Sequence, residues 1–188
     1  MPNKEFPTNY FRYTLLLLLL CSSGTVIAQR TPSYYPVNIV KGKPFAGSIV
    51  TDLQGISYDL TAPRGTVYVL NFWFINCAPC RTEMPELNTL VKKYKTDSVI
   101  FLAVANDGAA ALKQFLAKDD VAFDYRIVPS GRGFAQQQGV KGYPTHAVIA
   151  KDGTVSFVTA GLSDQTIPML EQAIRAELRR GKENEKSE

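Results

Sequence analysis

Residues 66–85 read TVYVLNFWFINCAPCRTEMP. Thr66 to Phe74 is a continuous run of β-branched and aromatic side chains, the pattern of a strand buried on both faces. It leads into Cys77-Ala78-Pro79-Cys80, after which Met84, Leu87, Val91 and Tyr94 recur on one face of a helix. Cysteines three apart in a first helical turn can approach to disulfide distance. Cys77 falls where backbone N–H groups lack helical partners and the helix dipole is positive. Both effects favour the thiolate, so its pKa is expected below the free value of about 8.5. The thiolate is the attacking species in disulfide exchange, and Cys80, one turn further in, is placed to resolve. Pro79 lacks an N–H, which costs nothing in a first turn, whereas Pro85 removes a hydrogen bond from the helix interior and should kink it.

Outward from this stretch, strands and helices alternate. Ser98 to Ala105 reads as a second buried strand, and Ala109 to Lys118 as a helix with Leu112, Phe115 and Leu116 inward. Phe123 to Val128 is a short strand and Gly133 to Gln138 a short helix. Thr145 to Ala150 and Thr154 to Thr159 flank the turn Lys151-Asp152-Gly153. Asp164 to Arg180 closes the chain as a helix with Ile167, Leu170, Ile174 and Leu178 on its apolar stripe, and Gly181 should end it. Upstream, Phe45 to Leu60 carries two strand-like runs split by Gln54-Gly55. The order implies an α/β fold: a mixed central sheet flanked by helices, with an N-terminal β-hairpin extension. The folded domain is expected over 44–180, after a linker at 29–43 and before a charged, disordered tail at 181–188.

Of 188 residues, 45% are apolar, enough for a real core and too many for a disordered chain. The net charge of +4 is mild and the basic residues are scattered, so no nucleic-acid partner is expected. Lys4 and Arg12, the apolar run Leu15 to Leu20, and the small residues before and at Ala28 form a secretory signal pattern over residues 1–28. The run is too short for a membrane span, which needs about 20 apolar residues. Leu20-Cys21-Ser22-Ser23 offers a second possibility, lipid anchoring through Cys21. Without residues 1–28, Cys77 and Cys80 are the only cysteines left. A bridge so short adds little stability by loop closure. With His146 as the single histidine, a structural zinc site cannot collect four Cys/His ligands. The pair is therefore chemical rather than structural.

Asn-Phe-Trp before C-x-P-C, then Glu83 and Pro85, then Gly142-Tyr143-Pro144-Thr145, a strand and Lys-Asp-Gly resemble the thioredoxin superfamily. Within it, the pattern is similar to the exported thiol–disulfide reductases of the ResA/TlpA type, from about Pro44 to Leu178. The resemblance implies a thioredoxin fold and dithiol–disulfide exchange outside the cytoplasm, in the periplasm or cell envelope. Cys77 and Cys80 would be the redox group, with no bound cofactor. It implies that Pro144 is cis and that the Tyr143 backbone meets an incoming substrate strand. It gives Glu83 a role beside the dithiol as proton acceptor or pKa tuner; the alternative is a carboxylate favouring the helix dipole. Trp73, Ala78 and Pro79 join the substrate-binding set, with core packing as the competing reading for Trp73. Asn76 departs from the family, where an aromatic often precedes the first cysteine. His146 reads as a half-exposed strand side chain, the alternative being a third ligand in a copper(I)-handling module. The implied partners are disulfide-containing exported proteins, apo-cytochrome c among them, and an upstream membrane or soluble electron donor. A thiol peroxidase would need P-x-x-x-[ST]-x-x-C, but Leu70 and Phe74 occupy the Pro and Ser/Thr positions relative to Cys77.

Overall fold

The computed structural model describes residues 38–184 apart from 63, 64 and 119. The expected signal segment, Cys21 and most of the linker lie outside these residues. Two short strands, β1 (Ile49–Thr51) and β2 (Ser57–Asp59), form an antiparallel hairpin as a sheet of their own. Asp52 closes the turn between them: its carboxylate accepts the Gln54 and Ile56 N–H groups and the Tyr58 hydroxyl, each at 2.9 Å.

The main sheet has five strands in the order β5-β4-β3-β6-β7. They are β3 (Val67–Trp73), β4 (Val99–Ala105), β5 (Arg126–Val128), β6 (Thr145–Ile149) and β7 (Val155–Ala160). β3, β4 and β5 are parallel, and β6 and β7 turn the sheet antiparallel. β3 is central and buried along its whole length, as its apolar run demands. Among the described residues, four helices complete the fold: α1 (Ala78–Tyr94), α2 (Ala109–Leu116), α3 (Arg132–Gln137) and α4 (Thr166–Asn184).

Because side chains alternate across a strand, β3 feeds two cores. Val67, Val69 and Trp73 lie with Met84, Leu87 and Leu90 of α1 and Leu170 and Ile174 of α4. Tyr68, Leu70 and Phe72 lie with Phe45, Val50, Leu60 and Ala135. The hairpin and the segment before it thus cover the second face of the sheet.

Several elements differ in extent from the sequence reading. α1 runs through Pro85 without ending, and its buried stripe uses Leu90, while Val91 is only half-buried. β5 is three residues long, because Phe123 and Tyr125 stack at 4.9 Å instead of extending the ladder. α4 continues past Gly181 to Asn184. A glycine costs a helix only about 1 kcal/mol relative to alanine, so it does not compel a stop. Gly181 also lies against Lys151, whose Nζ would sit 2.6 Å from an added Cβ. Among the described residues, no helix is long and apolar enough to cross a membrane.

Candidate active site

The site lies at the C-terminal ends of the parallel strands, where open α/β sheets place their chemistry. β3 ends at Trp73, and four residues later Cys77 caps α1. The connection is held on both sides. The Asn106 N–H donates to the Trp73 carbonyl at 3.1 Å, the Ile75 N–H to the Asp107 carboxylate at 2.8 Å, and the Cys77 N–H to the Phe74 carbonyl at 3.0 Å.

Cys77 and Cys80 are joined as a disulfide, with Cα atoms 5.3 Å apart. Sγ of Cys77 also accepts the Cys80 backbone N–H at 3.3 Å, the bond that a serine or aspartate cap would make. The sulfur therefore sits on the unpaired N–H groups of the helix end. Cys77 is 4% exposed and Cys80 fully buried, and Asn76, Ala78 and Pro79 around them are exposed. The Tyr143–Pro144 peptide is cis, in agreement with the family pattern. Tyr143 reaches the connection: its ring meets Phe74 edge-on at 5.3 Å, and its hydroxyl donates to the Asn106 side chain at 3.2 Å.

Trp73 corrects the substrate-binding expectation. Its side chain is fully buried against Phe115 and Phe123, with centroids 6.0 and 5.4 Å away, so it supports the site from behind and offers no surface. His146 corrects a second expectation. It is fully buried on β6, and its Nε2 lies 3.1 Å from the Glu83 carboxylate. Its cross-strand neighbour on β3 is Asn71, whose amide donates to Oε1 of Glu83 at 3.4 Å. Glu83 itself is 2% exposed, so it is no surface carboxylate serving the helix dipole alone. His146 Nε2 lies against Glu83, and no group of three side chains that could hold a metal ion is found among the described residues.

Sequence reasoning missed Asn71 and the Glu83–His146 pairing. One signal was available: Asn71 is a polar side chain inside an otherwise apolar buried run, and a buried amide must find partners. Tyr125 was missed as well. Its hydroxyl is wholly buried without a hydrogen-bond partner among the described residues, and its pKa is held well above 10, first by burial and then by the Glu83 charge.

The Redoxin family pattern matches residues 41–174. The chain belongs to the redoxin family. It is 33% identical over 168 residues to the thiol-disulfide oxidoreductase ResA of Bacillus thuringiensis subsp. konkukian, covering 88% of this chain and 94% of that one. Identity to the ResA of Bacillus anthracis is 36% over 164 residues, with 86% and 91% covered. Among solved structures, one described as a DsbE-type thiol:disulfide interchange protein from Chlorobium tepidum superposes with a TM-score of 0.66. The two share 29% identity, and the match covers 74% of this chain and 99% of that chain. The thioredoxin fold and the ResA-type likeness are thus shown, and this redoxin is a thiol–disulfide oxidoreductase whose redox group is the Cys77–Cys80 pair.

Proposed function

We infer that the protein works outside the cytoplasm and reduces disulfides in other exported proteins. The observation that carries the inference is the seat of Cys77: its sulfur caps α1 beside three exposed residues, while Cys80 is sealed behind it. A helix N-terminus stabilises a thiolate, so Cys77 attacks the substrate disulfide and forms a mixed disulfide. Cys80 then attacks Sγ of Cys77 and releases the reduced substrate. Ala78 and Pro79 form the exposed rim of the site, and the backbone of Tyr143 pairs with the substrate strand beside it. Glu83, one helical turn beyond Cys80, takes the Cys80 proton. Ala78-Pro79 brings no cationic side chain between the sulfurs, which favours a reducing rather than a strongly oxidising pair.

Export rests on the sequence of residues 1–28, with anchoring through Cys21 as the variant form. Apo-cytochrome c belongs to the substrate class, since its paired cysteines must be reduced before haem attachment. A membrane or soluble donor returns the two electrons to the disulfide. The test is trapping in the native envelope. Cys80→Ser should accumulate covalent adducts with disulfide-containing proteins, and Cys77→Ser should accumulate none; equal yields from both would refute the assignment. A reduction potential near that of strong oxidants would reverse the direction.

A further inference from the structure

The Glu83–His146 contact brings a second buried ionisable group, His146, to the carboxylate that takes the Cys80 proton, and the exchange described above gives that histidine no part. We propose that His146 is a positioning residue of this site: it holds the Glu83 carboxylate beneath the dithiol and shares with it the proton that Cys80 gives up. The inference rests on the proposed role of Cys80 as the resolving sulfur.

Three observations carry it. Glu83 and Cys80 are three residues apart on α1 and both are buried, so they lie on one helix face and point into one core. Glu83 is gripped from two strands at once, by Asn71 on β3 and His146 on β6, which are opposite each other in the ladder. The Nδ1 atom of His146 is buried with no hydrogen-bond partner among the described residues, so among them the ring is engaged by Glu83 alone.

The pairing matters because a lone buried charge is costly. A carboxylate and an imidazole with one proton between them are neutral as a pair. When Cys80 gives the pair a second proton, the new thiolate faces a net cation. With Glu83 alone it would face only a neutral acid. In the resolving step the Cys80 S–H bond breaks and its proton passes to the pair. Sγ of Cys80 then bonds to Sγ of Cys77, and the bond from Cys77 to the substrate sulfur breaks. The substrate sulfur leaves with the electron pair and takes a proton from water. Cys77 and Cys80 are oxidised to the disulfide, and the substrate is reduced. The pair returns its extra proton through a cleft of 310 Å³ between α1 and the loop before α4, which Glu83 lines together with Thr82, Glu86, Leu162 and Asp164.

Among the described residues, the titratable groups placed near the pair are few. α1 brings Cys77, Cys80 and, at the cleft, Glu86; the β7–α4 loop brings Asp164; Tyr125, ahead of β5, feels the Glu83 charge. β3 and β7 present only Asn71 and Thr159 opposite His146.

The test loads Cys77 of the reduced protein with thionitrobenzoate and follows its release by Cys80 from pH 5 to 9. His146→Gln keeps an N–H for Glu83 but cannot take a proton. It should slow release about tenfold at neutral pH and move the profile up by about one pH unit. Alkylation of Cys77 in a Cys80→Ser background should change less than about twofold, because that step does not use the pair. In a Glu83→Gln background His146→Gln should add no further slowing. An unchanged profile, or equal slowing with and without Glu83, would overturn the proposal. A second readout needs no variant at His146. As the single histidine, its ring nitrogens are unambiguous in an ¹⁵N spectrum. Those signals should differ between the dithiol and disulfide forms, and identical spectra of the two forms would overturn the role. Release that is equally fast in Cys80→Ser would instead bring down the exchange assignment itself.

Discussion

Truncating Glu83 separates its structural from its chemical contribution. In Glu83→Ala the Asn71 amide and the His146 imidazole lose their shared partner inside a closed core. Removing one member of a buried pair costs about 3–5 kcal/mol, so the oxidised variant should unfold at clearly lower urea. Glu83→Gln keeps the shape and can still accept from Asn71, and its loss should stay under about 2 kcal/mol. Equal losses in the two variants would mean that the Asn71 contact, which Gln can keep, contributes nothing to stability. The comparison also fixes what a single residue's sequence context can reveal. Cys77 and Cys80 were legible because their partner is three positions away. The partner of Glu83 is 63 positions away and becomes its neighbour only when β6 pairs with β3.

Helices α1 and α4 meet through a compact polar link. Lys93 donates to Oε1 of Glu171 at 2.6 Å, and the Tyr94 hydroxyl donates to the same atom at 3.1 Å. The Lys93 hydrogen bond, with help from Tyr94, lowers the Glu171 pKa from its ordinary 4.5 despite some desolvation. A depressed carboxylate stabilises the fold above its unfolded pKa and loses that contribution as pH falls through the folded one. Glu171→Gln should therefore cost less than about 1 kcal/mol at pH 7, since Lys93 is largely exposed. The gap between the two proteins should close in denaturation curves taken at successively lower pH below 4.5, and a gap that persisted unchanged would show that no charge is involved. The same two helices show which boundaries are readable. α1 starts where Cys77 supplies a cap beside Pro79, a local event. α4 ends beyond Gly181 although glycine is a common stop, because apolar anchors such as Leu170 and Ile174 seat the helix in the core and the glycine itself lies against Lys151. The ladder at 126–128 stops short of Phe123 for a related reason. Aromatic packing of Phe123 and Tyr125 against each other, and of Tyr125 against Phe101 at 5.1 Å, uses side chains where pairing would use backbone.

Taken as one body, the molecule closes its two cores with tyrosines whose hydroxyls point at carboxylates. Tyr58 on the hairpin donates to Asp52, and Tyr94 on α1 donates to Glu171. Burial comes first in raising both phenols from 10.0 to about 12, and the neighbouring carboxylate adds to it. A group whose folded pKa is raised contributes stability that is complete below its unfolded value and is lost as pH rises through its folded value. The window here runs from pH 10 to about 12. The two tyrosines sit on opposite faces of the sheet. The covering hairpin and the packed helices should then loosen over the same alkaline range, so that the two cores fail together. Absorbance of tyrosinate at 295 nm, followed beside far-ultraviolet circular dichroism, tests this directly. In the native protein Tyr58 and Tyr94 should stay un-ionised past pH 10 and ionise only as the helical signal falls. Tyr58→Phe should keep the ring in its core and remove one of the late titrations, leaving Tyr94 and the buried Tyr125 among those that remain. Early ionisation of both phenols near pH 10 with the fold intact would show that neither hydroxyl is sealed as the structure places it.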